Sequence, residues 1–322
     1  MMNNGKRDDS LWNRLLLFLK QKGFLSIKNV QRVKAVNFIV TDDADQKFVL
    51  KGYQKQATVL KQWELFSQID KPFIVSFQRF PSGDRYLFWE GYYWTLQKYY
   101  RAQRLNYQWK EDRDQAWASM KQFHLAASGI VIEHQPPTVN FVRKWENRLR
   151  RWQNTEQLLY RLGYRTLYNE LETQLMEGIT LFQQVNHPTL EANPSYQLNW
   201  IHGDVASHNF LRDNRNNIYL IDFDLLAPSP SIYDEIQLAQ RFLPFIQDNI
   251  EQLEAYIHPD TLQTNQLFWI GLMIPADFIR EWWYFIVQSK EEIAITNFLT
   301  EFCLSWNERK QFVETVKKKL NR

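Results

Sequence analysis

Two short blocks of this 322-residue chain carry the residue types that phosphoryl transfer requires. The first is Trp200-Ile201-His202-Gly203-Asp204-Val205-Ala206-Ser207-His208-Asn209-Phe210-Leu211, with the order His-x-Asp-x-x-x-x-Asn. The second, Ile218-Tyr219-Leu220-Ile221-Asp222-Phe223-Asp224, ends an apolar strand-like run on an acid. In phosphoryl transfer one carboxylate orients the attacking hydroxyl, while a second carboxylate and an amide oxygen hold the magnesium that bridges the phosphates. Asp204, Asp222 and Asn209 supply those three groups. By average residue frequencies, His-Gly-Asp-x-x-x-x-Asn arises by accident in roughly one in a thousand chains of this length.

The elements around these residues must bring the blocks together. Phe210-Leu211 and Ile218 to Ile221 flank Arg212-Asp213-Asn214-Arg215-Asn216-Asn217, a polar turn between short apolar runs, which predicts a hairpin. Upstream, apolar residues at helical spacing over Leu11 to Lys22 stop at Gly23, a helix followed by a C′ glycine. Val30 to Val40 alternates and is β-branched, residues 41–45 have turn chemistry, and Lys47 to Lys51 forms a second strand. Gln54 to Ile69 follows as a helix whose one acid is Glu64. Phe73 to Phe80, Arg85 to Trp89 and Tyr92 to Lys98 predict a three-stranded meander with turns at Ser82-Gly83-Asp84 and Glu90-Gly91. The expectation is an α+β chain: a small part over 1–98, with a five-stranded antiparallel sheet and one helix, and a mainly helical part over 99–322.

Taken together, His202-Gly203-Asp204 to Asn209 and Ile221-Asp222-Phe223-Asp224 resemble the aminoglycoside phosphotransferase and choline kinase superfamily, whose bilobal fold is related to the protein kinases. Protein kinases usually carry His-Arg-Asp and Asp-Phe-Gly at these places. Gly203 and Asp224 favour the small-molecule branch, as does the lack of an Ala-Pro-Glu motif. The resemblance implies roles. Asp204 is the catalytic carboxylate, Asn209 and Asp222 hold Mg2+, and Lys51 on its strand contacts the phosphates of ATP or GTP, braced by Glu64 on the next helix. Backbone groups of Gln97, Lys98 and Tyr99 at the hinge would hydrogen-bond the adenine edge. Where protein kinases have Gly-x-Gly-x-x-Gly, this chain has Lys34-Ala35-Val36-Asn37-Phe38, with Asn37 in place of a glycine over the phosphates.

The helical part holds a helix over Asp112 to Ala127 with His124 inside its apolar stripe, read as a core histidine, then Asn140 to Arg161 and Thr166 to Val185. These resemble the variable substrate-recognition region of the superfamily. Arg143 to Arg151 and Lys317-Lys318-Lys319 are dense in basic residues and read first as solvated helix faces, with contact to an anionic substrate or partner as the alternative. Asp234 is either a brace for the catalytic loop, as the resemblance implies, or an acid serving its helix dipole. Four or so helices follow over Gln237 to Asn321, and the aromatic Phe268 to Val287 either fills the core or lines a pocket.

Composition excludes several classes. With 39 Lys plus Arg against 36 Asp plus Glu, the net charge of +3 offers no nucleic-acid footprint. The six histidines stand in no His-Glu-x-x-His, and neither Cys-x-x-Cys nor Gly-x-Ser-x-Gly occurs, so zinc and hydrolase-triad chemistry are not expected. One cysteine, Cys303, excludes an internal disulfide and is expected to be a buried thiol in a reducing setting. Leu15 to Leu19, hemmed by Arg14 and Lys20, is too short for a signal segment, and no run reaches membrane-spanning length. The expectation is a cytoplasmic enzyme with a nucleotide and a small-molecule hydroxyl acceptor as partners, and with neither nucleic acid nor membrane. A softer resemblance to the spore-coat-associated kinase-like branch gives the alternative, a non-enzymatic coat or scaffold protein.

Overall fold

The computed structural model describes residues 4–69, 71–185, 199–247, 249–257, 262–289 and 291–320; His187 and His258 lie outside them. The chain forms two compact units, each assembled from three stretches. The first comprises Met1–Leu105, Leu125–Pro137 and His208–Leu226, the second Asn106–His124, Thr138–Ser207 and Ala227–Arg322.

The first unit is built on an antiparallel sheet of β1 (Ile27–Lys34), β2 (Asn37–Asp42), β3 (Lys47–Tyr53), β4 (Phe77–Gln78), β5 (Leu87–Trp89) and β6 (Tyr92–Lys98). The order is β1-β2-β3-β6-β4, with β5 also on β6. The five-stranded expectation holds in outline. A sixth strand arises because the chain turns at Ala35-Val36, so the run read as one strand over 30–40 is β1 and β2. β5 pairs with β6 as expected, but β4 also pairs with β6 and not with β5, although the Phe80 amide closes the expected turn onto the Asp84 carbonyl at 2.9 Å.

Alternating residues Val40, Leu50 and Leu96 turn one sheet face inward, where Leu15 and Leu19 of the Asn4–Gly23 helix cover it. Each such side chain taken from water contributes about 1.5–3 kcal/mol. Gly23 has a different role from the one expected: a Cβ there would meet Leu87 Cδ1 at 2.9 Å, and the left-handed residue after the helix is Phe24, with φ 53°. Glycine eases this approach, the nearest atom being the free end of the Leu87 side chain. The Gln56–Phe66 helix follows β3 and packs Phe66 edge-on to Phe223, centroids 4.7 Å apart.

The expected hairpin is present. β9 (Phe210–Arg212) and β10 (Ile218–Leu220) pair antiparallel, with Phe210 opposite Leu220. Its tip is tied by Asp213, which accepts from the amides of Arg215 at 2.8 Å and Asn217 at 2.9 Å.

The second unit is mainly helical, with Phe141–Gln153, Arg165–Val185, Ile232–Phe242, Leu262–Met273, Ala276–Gln288 and Glu292–Leu320 as its main helices. Trp145, Trp152, Trp269, Trp282 and Trp306 are all buried, so the aromatic run from Phe268 contributes to the core; Tyr284, by contrast, stays exposed. Gly178 and Gly271 let helices close up, since a Cβ at either would stand 2.6 Å from Ile274 or Ile236. Cys303, expected to be buried, is only partly so on the Glu292–Leu320 helix, because that helix turns Leu299, Phe302 and Trp306 inward instead. Among the described residues, no helix is long and apolar enough to cross a membrane.

Candidate active site

Each unit carries part of the residue set picked out above. In the first unit, Lys51 sits centrally on β3, paired across the ladder with Asn37 on one side and Thr95 on the other. Its ammonium lies 2.8 Å from Asp222 Oδ1 and 2.8 Å from both oxygens of Asp224. The Lys51 side chain is only 11% exposed, whereas those of Asp222 and Asp224 keep 37% and 39%. Three charges thus meet at one point, although 171 residues of chain separate Lys51 from Asp222.

The hairpin sets this geometry. Ile221 N–H donates to the Asn209 carbonyl at 3.0 Å, so the stretch leading into Asp222 is hydrogen-bonded to the end of the first block. Asp222 then takes a left-handed conformation, φ 66° and ψ 61°, and starts the turn over Phe223–Leu225. A non-glycine residue held there is strained by about 1–3 kcal/mol, a cost that persists where surrounding structure imposes it. Asn209 is buried at 1% exposure.

Burial raises the Asp224 carboxyl above its usual range, Lys51 pulls it down, and Asp222 pushes it up again. Tyr53, whose hydroxyl is hydrogen-bonded to Asp224, is raised by burial first and then by that carboxylate. Two acids sharing one ammonium form an anionic cradle of hard oxygen donors, the donor chemistry that Mg2+ selects. Opposite Lys51, the Asn37 side-chain oxygen is buried without a hydrogen-bond partner among the described residues.

The Lys51–Glu64 pair expected from the sequence does not form. Glu64 instead accepts from the His134 backbone N–H at 2.8 Å and from the His134 ring. The donor atoms of Glu64, Glu133 and His134 lie within 4.8 Å of one another on the surface. The inward position on the helix belongs to Lys61, whose ammonium donates to the Asp224 carbonyl at 2.8 Å and the Leu226 carbonyl at 2.7 Å. Burial lowers Lys61 to about 8, with Asp224 acting in the other direction. Lys61 fixes the backbone of the acidic turn from below, a role the sequence did not disclose because it depends on the phase of the helix.

At the expected hinge, Gln97 is buried and laddered to both Val49 and Phe77. Lys98 is exposed opposite Phe48, and the Tyr99 N–H is already bonded to the Lys47 carbonyl at 3.2 Å. The Tyr99 amide is therefore engaged by the sheet.

In the second unit, Asp204 follows Gly203, whose φ of 81° suits glycine. Asp234 organises the loop. It is fully buried and accepts from His202 N–H at 2.7 Å, Gly203 N–H at 3.0 Å and His124 Nε2 at 3.0 Å. Burial would raise this carboxyl, but the hydrogen bond and charge of His124 hold it below the ordinary value. Of the two readings of Asp234, the brace is the one realised, and His124 is the core histidine that supports it. Tyr107 adds a second brace, its hydroxyl donating to the Val205 carbonyl at 2.9 Å. Arg241, not picked out from the sequence, donates to Asp204 Oδ1 at 3.0 Å.

No protein-family model and no curated relative matches the chain. Solved structures do. An aminoglycoside phosphotransferase from Alicyclobacillus acidocaldarius superposes with a TM-score of 0.70 at 15% identity, covering 96% of each chain. Spectinomycin phosphotransferase in complex with ADP and spectinomycin gives 0.60 at 12% identity over 94% of this chain and 97% of that one. Choline kinase from Streptococcus pneumoniae gives 0.52 at 13% identity over 95% of this chain and 99% of that one. The chain has the protein-kinase-like α+β fold that aminoglycoside phosphotransferases and choline kinase share.

Proposed function

We propose that the chain is a phosphotransferase of the aminoglycoside phosphotransferase and choline kinase type, moving the γ-phosphoryl group of ATP or GTP to a hydroxyl of a small molecule. The observation that carries this reading is the convergence of Lys51, Asp222 and Asp224, drawn from two distant stretches of chain onto one point. Similar structures bound to ADP in one case and to GDP and kanamycin in another support a nucleotide donor. In this reading residues 1–98 are the nucleotide-binding lobe, with Gln97 to Tyr99 at its hinge, and 99–322 the catalytic and acceptor-binding lobe.

Lys51 releases the two acids and neutralises the donor phosphates. Asp222, with Asn209, would hold Mg2+, which would supply charge neutralisation to the donor phosphates; the shared carboxylate cradle fits that role. Asp204 accepts a hydrogen bond from the acceptor hydroxyl and orients its lone pair, while Asp234 and Tyr107 hold the loop so that this carboxylate does not have to reorganise. Positioning and electrostatics carry such a reaction, with little covalent work by the protein. Glu64 is bonded to His134 and takes no part as a brace of Lys51.

The test is release of ADP or GDP in the presence of Mg2+ and a panel of hydroxyl compounds, read against Asp204→Asn. Acceptor-dependent release lost in the variant supports the proposal. Failure of any nucleotide to bind would leave the alternative, a non-enzymatic scaffold on the same fold.

A further inference from the structure

Three helices of the second unit bring basic side chains together, and one of these, Arg241, is bonded to Asp204. Lys144 and Arg148 stand four apart on Phe141–Gln153, Gln237 and Arg241 on Ile232–Phe242, and Ala276 and Arg280 on Ala276–Gln288. Residues four apart share a helix face. Two hydrogen bonds lock the faces together: Lys144 Nζ to Gln237 Oε1 at 3.2 Å, and Arg148 Nη1 to the Ala276 carbonyl at 3.0 Å. One turn beyond these links come Arg241, on Asp204 at 3.0 Å, and Arg280, which makes no hydrogen bond or ion pair among the described residues.

All four cations are half-buried. Burial and then Arg148 lower Lys144 to about 8, while burial and then Arg280 lower Arg148 to about 10. Opposing charge is outnumbered. Asp277 is paired with Arg309 at 3.2 Å and also acts on Arg148 and Arg241, Asp234 is taken up by His124 and two loop amides, and Glu281, exposed and without an ion pair among the described residues, acts on Arg280 and Arg241. Four cations thus gather where, among the described residues, Asp204 is the one carboxylate ion-paired to any of them, through Arg241. Gathering like charges out of water destabilises a fold, and an oxyanion is the ligand that would reverse the sign. Guanidinium forks with an ammonium beside them suit carboxylate or phosphate.

We propose that Lys144, Arg148, Arg241 and Arg280 bind an anionic group, carboxylate or phosphate, of the molecule acted on at Asp204. Resting on the phosphotransferase reading, this makes the acceptor a hydroxylated anion and not a cationic aminoglycoside or amino alcohol. The basic run Arg143 to Arg151, first read as a solvated face, contributes Lys144 and Arg148 to this site.

The experiment is thermal unfolding of wild type, Arg280→Gln and Lys51→Met with inorganic phosphate, glycerate, glycerol 3-phosphate, choline and kanamycin. The anions should raise the wild-type midpoint saturably, with glycerate against glycerol 3-phosphate telling carboxylate from phosphate. Arg280→Gln should weaken the response about tenfold or more, the loss of one charge-assisted hydrogen bond, and Lys51→Met should keep it. Without ligand, Arg280→Gln should unfold at the same temperature or higher, because a like charge has gone. A lower ligand-free midpoint would make Arg280 a structural cation and overturn the proposal. So would an equal anion response in wild type and Arg280→Gln, a response lost only in Lys51→Met, or stabilisation by kanamycin or choline alone. ATP with Mg2+ on the same samples reads the phosphotransferase proposal separately. Anion binding without nucleotide binding keeps the basic site and removes the kinase reading, and the converse result removes the basic site alone.

Discussion

The Lys51 ammonium stands 2.8 Å from both carboxylate oxygens of Asp224, a residue 173 positions along the chain, and at the same distance from Asp222. One cation thus holds two acids that would otherwise repel. Lys51→Met should cost about 1–2 kcal/mol at neutral pH, a modest figure because both carboxylates remain over a third exposed and are screened by solvent. The sign with pH follows from Asp224, which burial already raises and which the substitution raises further. A carboxyl with a raised folded pKa favours the fold at low pH, so the deficit should shrink on acidification and reappear as pH rises through that value. Urea unfolding of both proteins across pH 4 to 8 checks this; a deficit that grows on acidification would contradict it.

Asp234→Ala should cost about 3 kcal/mol or more, since it strands the His202 and Gly203 amides and the His124 ring in a buried site. The Asp234 carboxyl sits below its ordinary value of 3.8. Its contribution is therefore complete above that value and is lost as pH falls through the lower folded one. Chemical denaturation should show wild type and variant converging in acid, and a pH-independent gap would be wrong for this brace.

Glu64→Gln should leave turnover within about tenfold of wild type, because its carboxylate serves His134 and not Lys51. Lys51→Met should abolish turnover under the same assay. If the two variants lose activity equally, the sequence-based pairing of Glu64 with Lys51 forms during the reaction after all.

Lys61 carries a pH signature of its own. Burial lowers it to about 8 from an ordinary 10.5, so between those values the unfolded chain binds the extra proton. Stability from this group must then rise as pH goes from about 8 toward 10. Comparing wild type with Lys61→Met at pH 7, 8.5 and 10 should show the wild type gaining relative stability; a flat difference would place Lys61 in solvent.

What could be read in advance was what is contiguous in sequence. The hairpin from Phe210 to Leu220 was legible because its turn chemistry and flanking apolar runs are local, and Asp222 and Asn209 came with it. The strand bearing Lys51 was equally plain. Glu64 was matched to Lys51 because it is the one acid on its helix, yet the helix phase turns Lys61 inward and Glu64 toward His134. Arg241 and Arg280 carried no signal, since each matters only through the tertiary packing of its helix, which sets Arg241 on Asp204. The turn at Ala35-Val36 was hidden inside a β-branched run that reads as one strand, and no glycine or proline marked it.

The most direct test of the central claim is calorimetric binding of ATP and GTP with and without Mg2+, on wild type and Asp222→Asn. A ligand that binds the folded chain also raises its unfolding temperature by mass action, so the two readouts should agree. The phosphotransferase account predicts Mg2+-dependent binding of at least one nucleotide to wild type and its loss in a folded Asp222→Asn protein. Binding that is unaffected by the substitution, or absent from wild type altogether, would contradict it.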